Sequence, residues 1–271
     1  MSEQKWYYTN SLDEACELLR DHTVLPHGGG TQLNNIDLSH IHGLLCLKDL
    51  NLNYIKQTSQ EVEIGSMTTY ADIVQKSTKI STDNILISAL KNAANTPLRN
   101  RITIGGSLGF IPQWSDLIGP LLALEAKILL IGKNAGEYSL SQFWRHRDLL
   151  KSSLITAVRF RDFPHHAYHY RDVKTNNDMP LFTVSTLFDM DGERIKKPHV
   201  IIAGTRDRVS EITELENYLA GKKISELQES EVIRRVKVTF VGKRVTDPDY
   251  LASKTKIETW RSIIKAAENR L

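Results

Sequence analysis

Cysteine is almost missing from this sequence: Cys16 and Cys46 are the only two in 271 residues, too few for a disulfide framework or for the four thiolates an iron–sulfur cluster requires. Reduced thiols in a cytoplasmic protein fit that count. Long apolar runs are missing too. Met1 to Tyr8 includes Glu3 and Lys5, and Glu125 and Lys127 interrupt the apolar segment from Leu121 to Ile131, so neither a signal peptide nor a membrane span is predicted. No single sign of charge dominates, because 35 basic side chains face 32 acidic ones and leave a formal net charge of +3. A nucleic-acid partner is therefore not expected. The most basic stretch holds Arg234, Arg235, Lys237, Lys243 and Arg244, but Ile233, Val236, Val238, Phe240 and Val245 are interleaved with them, which reads as one amphipathic element with a solvated face. Low-complexity tracts and repeats of fixed period are absent as well.

With 41% hydrophobic and 25% charged residues, the composition is that of an ordinary globular protein, large enough for one big lobe or two to three smaller ones. Ser11 with Glu14 predicts a capping box, after which Leu12, Ala15, Cys16, Leu18 and Leu19 recur at helical spacing. Val24 and Leu25 then form a short strand. Further strands are predicted at Leu44 to Leu47, Val62 to Ile64, Lys127 to Ile131 and Leu154 to Phe160. Helices are predicted after Thr68 or Thr69, over Ile85 to Ala94, and over Leu117 to Ala126 with Ser115 or Asp116 as cap. Near residue 162 the texture changes to long apolar strands, Leu181 to Met190 and Val200 to Gly204, followed by helical patterns. Strands and helices alternate irregularly, so an α+β assembly of lobes is favoured over a doubly wound sheet.

Two glycine-rich words about 75 residues apart are the most informative feature, since backbone N–H groups beside glycine let a phosphate approach with no Cβ in the way. The first is Pro26-His27-Gly28-Gly29-Gly30-Thr31, and the second is Thr103-Ile104-Gly105-Gly106-Ser107-Leu108-Gly109. Both read as loops. Neither has the spacing of the dinucleotide fingerprint or the P-loop, so both of those folds are excluded on these words. Each word alone is compatible with an ordinary turn needing positive φ. Thr31 beside the first and Thr103 and Ser107 within the second add hydroxyls that could alternate with amides around an anion.

These words in their order resemble the FAD-binding subunits or domains of the molybdenum hydroxylases, the family of xanthine dehydrogenase and carbon monoxide dehydrogenase. The resemblance is carried by His27-Gly28-Gly29-Gly30-Thr31-Gln32-Leu33, by Leu98 to Leu108, and by Ser115-Asp116-Leu117 leading into Pro120 to Ala126. It implies an α+β, PCMH-type FAD-binding fold of two α/β lobes, residues 1–57 and 58–162, followed by a C-terminal α+β domain with an antiparallel sheet over residues 163–271. It implies non-covalent FAD, with Pro26, His27, Gly28, Gly29, Gly30, Thr31 and Gln32 around the diphosphate and Thr103, Gly105, Gly106 and Ser107 as a second arm. Ala94 and Asp116 would contact the nucleotide, Ile155 would lie against the cofactor, and Arg171 falls where some members place a basic residue near the flavin. Ser107 stands where Asn is common and Gln32 where an acidic residue or Ser is common. The segment Tyr170 to Pro180 follows the family poorly, and Arg171 reads equally as a surface charge beside Asp172.

The resemblance further implies a cytoplasmic hetero-oligomer, in which a molybdopterin-binding large subunit and an iron–sulfur small subunit carry the molybdenum cofactor and the 2Fe-2S clusters. Electrons would pass through FAD to NAD or another acceptor, with purines and related N-heterocycles as the first substrate class to try. Two other readings stand beside it. One is a stand-alone FAD-dependent oxidoreductase of the same superfold, and the other is a flavin-free scaffold subunit. His165, His166 and His169 cluster, but no carboxylate or cysteine completes a ligand set, so they read as a solvent-facing loop running into a strand, not a metal site.

Overall fold

The computed structural model describes residues 4–58, 60–75, 80, 84–175, 178–242 and 244–269. Lys243 of the basic stretch lies outside them. The chain forms two compact units, one of Met1–Ile80, Asn95–Ile111 and Glu125–Arg161, the other of Ser81–Ala94, Pro112–Leu124 and Asp162–Leu271.

The first unit begins with a small parallel sheet. Strand β1 (Lys5–Tyr8) leads through α1 (Leu12–Leu18) to β2 (Val24–His27) and then β3 (Gly43–Cys46), which lies between the other two. Ser11 Oγ accepts from the Glu14 N–H at 3.3 Å, the expected cap. The Glu14 carboxylate turns to the Thr9 hydroxyl instead of completing a reciprocal box. Ala15, Leu19, Val24, Leu45, Leu47, Leu50 and Leu52 close the core of this lobe. A second, antiparallel sheet has the order β4 (Ile55–Gln57), β5 (Glu61–Gly65), β8 (Ser153–Arg161), β6 (Lys127–Gly132), β7 (Gly136–Ser139). Its short helix α2 (Tyr70–Gln75) is capped by Thr69, whose Oγ1 accepts from the Asp72 N–H at 3.1 Å.

The second glycine word is not a loop. It is α5 (Ile104–Phe110), with Thr103 as N-cap accepting from the Gly106 N–H at 3.1 Å. Glycines are tolerated in this helix because its backbone presses on the chain after β5. A Cβ on Gly105 would lie 2.5 Å from Ser66 Cβ and 2.8 Å from the Ser66 carbonyl oxygen, so the fold requires a residue without a side chain there.

The second unit is built on an antiparallel sheet of order β12 (Arg208–Glu211), β11 (Arg194–Thr205), β10 (Phe182–Asp191), β9 (His166–Asp172). Both faces are covered, which is why Leu181 to Met190 reads as one apolar run and does not alternate. Phe182, Val184 and Phe188 on one face join Leu215, Val232, Leu251 and Ile263, from helices α8 (Thr213–Leu219), α9 (Glu229–Arg235) and α10 (Pro248–Glu268). The other face meets α6 (Ile118–Ala123), where a Cβ on Gly119 would lie 2.5 Å from Ser185 Oγ. Neither Ser115 nor Asp116 is the N-cap of α6, which is Leu117 and makes no side-chain cap, but Ser115 Oγ holds the turn into the helix by accepting from the Leu117 and Ile118 N–H groups at 3.3 and 3.2 Å. Helix α3 (Ile85–Lys91) is capped by Asn84 and stops short of Ala94, which has φ 51°. After α9 the basic stretch does not continue as a helix, and Val236, Val238 and Phe240 alternate inward from an extended segment.

The histidines differ from the solvent-facing expectation. His165 is 2% exposed, and His169 lies in β9 with its Nδ1 2.9 Å from Ser185 Oγ. Among the described residues no group of three or more His, Cys, Asp or Glu is arranged to hold a metal, and no helix is long and apolar enough to cross a membrane.

Candidate functional site

The first unit contains a cavity of about 450 Å³ into which the ends of β2, β5 and β8 and the start of α5 open. Pro26, Gly28, Gly29, Gly30, Thr31 and Gln32 line one side, Thr103, Gly105, Gly106 and Ser107 another, and Ile155 a third. Among the described residues no Asp or Glu lines the cavity, and Lys151 and His22 are the ionisable side chains there. Such a wall favours an anionic ligand with an apolar body.

The first glycine word leaves β2 as an irregular turn, with Gly30 at φ 70°. No acceptor among the described residues takes the main-chain N–H of Gly28, Gly29, Gly30, Thr31 or Gln32. A run of N–H groups with nothing to donate to is the backbone form of an anion site. The glycines are dictated by contact as well as by φ. A Cβ on Gly29 would lie 1.6 Å from the Arg101 carbonyl oxygen, and one on Gly28 would lie 3.0 Å from Thr103 Oγ1. The two glycine words therefore pack directly on each other. His27 does not line the cavity. Its ring meets Trp6 edge-on at 4.9 Å between centroids, and a Cβ on Gly30 would come within 2.7 Å of its Nε2, so the imidazole props the turn from outside. Burial and, secondarily, the nearby Arg101 charge push its pKa below the ordinary histidine value.

The second arm offers something different from the alternating amides and hydroxyls read from the sequence. Its amides are used internally: Ile104 N–H donates to Thr68 O, Gly105 N–H to Ser66 O, Gly106 N–H to Thr103 Oγ1 and Ser107 N–H to Thr103 O. What remains is hydroxyls. Ser107 Oγ accepts from Tyr70 Oη at 2.9 Å, which leaves its own proton to donate. Ser66 Oγ is buried with no partner among the described residues and belongs to the cavity wall. The sequence carried no sign of Ser66 or Met67, because their place in the wall arises from β5 ending beside α5. Ile155 owes its position to a bulge: Leu129 pairs with Ala157 but Leu130 with Ile155, skipping Thr156, and a bulge re-aims the side chains next to it.

Ala94, Asp116 and Arg171 belong to the second unit. Asp116 and Arg171 are not loose surface charges there. The guanidinium grips the carboxylate with both forks, Nε to Oδ1 at 2.5 Å and Nη2 to Oδ2 at 3.3 Å, and also donates to the Asp178 carbonyl at 3.1 Å. Their side chains are 9% and 10% exposed.

A cavity walled by free amides and close-packed glycines is what a diphosphate needs, and a family model for the FAD binding domain in molybdopterin dehydrogenase matches residues 2–161. The chain belongs to this FAD-binding family. It is 26% identical over 235 residues to the glyceraldehyde dehydrogenase medium chain of Sulfolobus acidocaldarius, with 83% of each chain covered. Its fold matches that of carbon monoxide dehydrogenase from Hydrogenophaga pseudoflava with a TM-score of 0.88, at 18% identity and with both chains fully covered. Quinoline 2-oxidoreductase from Pseudomonas putida 86 matches with a TM-score of 0.87 at 21% identity, covering 98% of this chain and 97% of that one. The PCMH-type α+β architecture expected of such a domain is thus the one this chain has.

Proposed function

We propose that this chain is the FAD-carrying medium subunit of a molybdenum-dependent hydroxylase or dehydrogenase complex, and that it accepts electrons from iron–sulfur clusters on a partner chain and delivers them to NAD or another acceptor. The observation that carries the reading is the row of N–H groups from Gly28 to Gln32 that find no acceptor among the described residues, on a cavity wall to which none of those residues brings a carboxylate. These amides would hold the FAD diphosphate. Thr103 and Ser107 would donate hydroxyl protons from the other side, and Ile155 would supply apolar contact. Bound there, FAD supplies the exchange between single-electron carriers and a two-electron acceptor. Everything else this unit does is to bind, orient and shield.

The medium chain of a glyceraldehyde dehydrogenase among its relatives supports a multi-chain complex. Oxidation of purines or related N-heterocycles remains the first substrate class to try, with aldehydes suggested by that relative. The substrate pocket would lie on another chain. The two other readings, a stand-alone oxidoreductase and a flavin-free scaffold, gain no observation of their own.

The test is to purify the full chain alone and with its native partners, record the visible spectrum after supplying FAD, and add NADH without oxygen. A flavin band that bleaches on addition supports an FAD chain facing a nicotinamide, and a band that does not bleach moves the acceptor away from NAD. A complex that takes up no FAD would sink the proposal in favour of the scaffold.

A further inference from the structure

Arg101 is positioned to shape the amide row without lying in the cavity. Its Nη2 donates to the Gly29 carbonyl at 3.0 Å, across 72 residues of sequence, while its own carbonyl stacks under the Gly29 Cα closely enough to forbid any side chain. The peptide joining Gly29 to Gly30 is trans, so its carbonyl and its N–H point to opposite edges. With the oxygen held by the guanidinium, the Gly30 N–H is turned away from it. Gly30 itself is at φ 70°, a conformation in which a flexible glycine peptide could otherwise flip. A peptide flip there would put a carbonyl oxygen where an amide proton now stands.

Arg101 also brings charge to a region that has little. Its guanidinium is exposed, and its hydrogen bond to Gly29 is the one it makes among the described residues. A Cβ on Gly30 would lie 3.6 Å from Nη2, so the cation sits at the rim of the turn. Arginine suits this double task because its planar fork can hold a carbonyl with one N–H and keep others for a phosphate oxygen.

We propose that Arg101 is a positioning residue for the dinucleotide diphosphate: it locks the Gly29–Gly30 peptide with its amide available and adds a rim charge that draws the anion in. This rests on the reading of the cavity as an FAD site. The lock and the charge are separable. Arg101→Lys keeps the charge but has no planar fork, and Arg101→Met removes both.

The experiment is to strip flavin from the full chain, confirm that each variant is folded by circular dichroism, and titrate FAD at low and high salt for wild type, R101K and R101M. A charged hydrogen bond of about 1.5–3 kcal/mol corresponds to about 10- to 150-fold in affinity. R101M should bind FAD at least about tenfold more weakly at low salt, and its affinity should fall less with added salt than that of wild type, because the screened charge has gone. R101K should keep the wild-type salt dependence and still bind several-fold more weakly. Wild-type affinity in R101K would overturn the lock, whether or not R101M folds. Unchanged salt dependence in R101M would overturn the charge. If wild type takes up no FAD under any condition, the FAD-site reading itself fails and this inference with it; loss confined to the variants leaves that reading intact.

Discussion

At the scale of single residues, the strongest constraints are places where a side chain cannot exist. Gly29 is the clearest case. Since an added Cβ would fall 1.6 Å from a backbone oxygen, Gly29→Ala must push the first glycine word away from Arg101 and scatter its amides. FAD titration should show affinity lost by at least about tenfold, the value of one or more charged hydrogen bonds, with the folded fraction little changed. An alanine variant that binds FAD normally would mean that the turn has slack. The pair Asp116 and Arg171 makes a second residue-scale prediction. Both are nearly buried and bidentate, so Arg171→Met should destabilise the chain by about 3–5 kcal/mol by stranding a carboxylate. Adding Asp116→Leu to it should recover most of that loss. Denaturant midpoints of the two variants decide it, and a double variant no more stable than the single one would show that the arginine acts through its packing.

At the scale of elements, the cap of α5 carries both stability and site geometry. Thr103 is 4% exposed and its Oγ1 accepts from the Gly106 N–H. Thr103→Val keeps the shape, removes the acceptor, and should cost about 1 kcal/mol, read as a melting point about 2–4 °C lower. The same element shows where the sequence could and could not be read. Thr103, Gly105, Gly106 and Ser107 were visible as a set, but three glycines within seven residues argued for a loop. Helical propensity lost to packing against Ser66, a contact 39 residues away in sequence. Strands β2, β3, β5, β6 and β8 were legible within a residue or two from their apolar runs, which β3, β5 and β8 bury over most of their length and which in β2 and β6 rest on the buried Val24, Ile128 and Leu130. Edge strands β1 and β7 were not, since Lys5, Trp6, Tyr8 and Glu137 leave them largely exposed and without a periodic pattern. Arg101 and Ser66 were missed for another reason: each becomes part of the site through a partner far away in sequence, and neither has a residue type that announces it.

At the scale of the whole molecule, acid sensitivity should come from histidines held neutral in both units. His27 in the first unit and His165 in the second each have a pKa lowered chiefly by burial. His165 is the simpler case. Its Nδ1 lies 2.6 Å from the Phe163 carbonyl, which can only accept, so Nδ1 carries the proton and the buried Nε2 is a bare acceptor without a partner among the described residues. Charging that ring in the folded chain would place a cation in a desolvated site. The unfolded chain has no such obstacle and protonates near pH ~6.5. Below that value the unfolded state binds more protons than the folded one, so stability, full above it, falls as the pH drops toward the lowered folded values. Ordinary carboxylates titrate nearer pH ~4. Glu216, whose pKa burial raises, works in the opposite sense because its folded form takes up the proton first. A loss of stability across the window from about pH 7 to 5 therefore points to the histidines. His165→Asn retains a donor for Phe163 and removes the titration. Urea unfolding across that window should give a shallower loss of stability for the variant than for the wild type. Equal slopes would mean that the folded chain accommodates the charged ring, and the buried environment of His165 would then not be the source of the pH dependence.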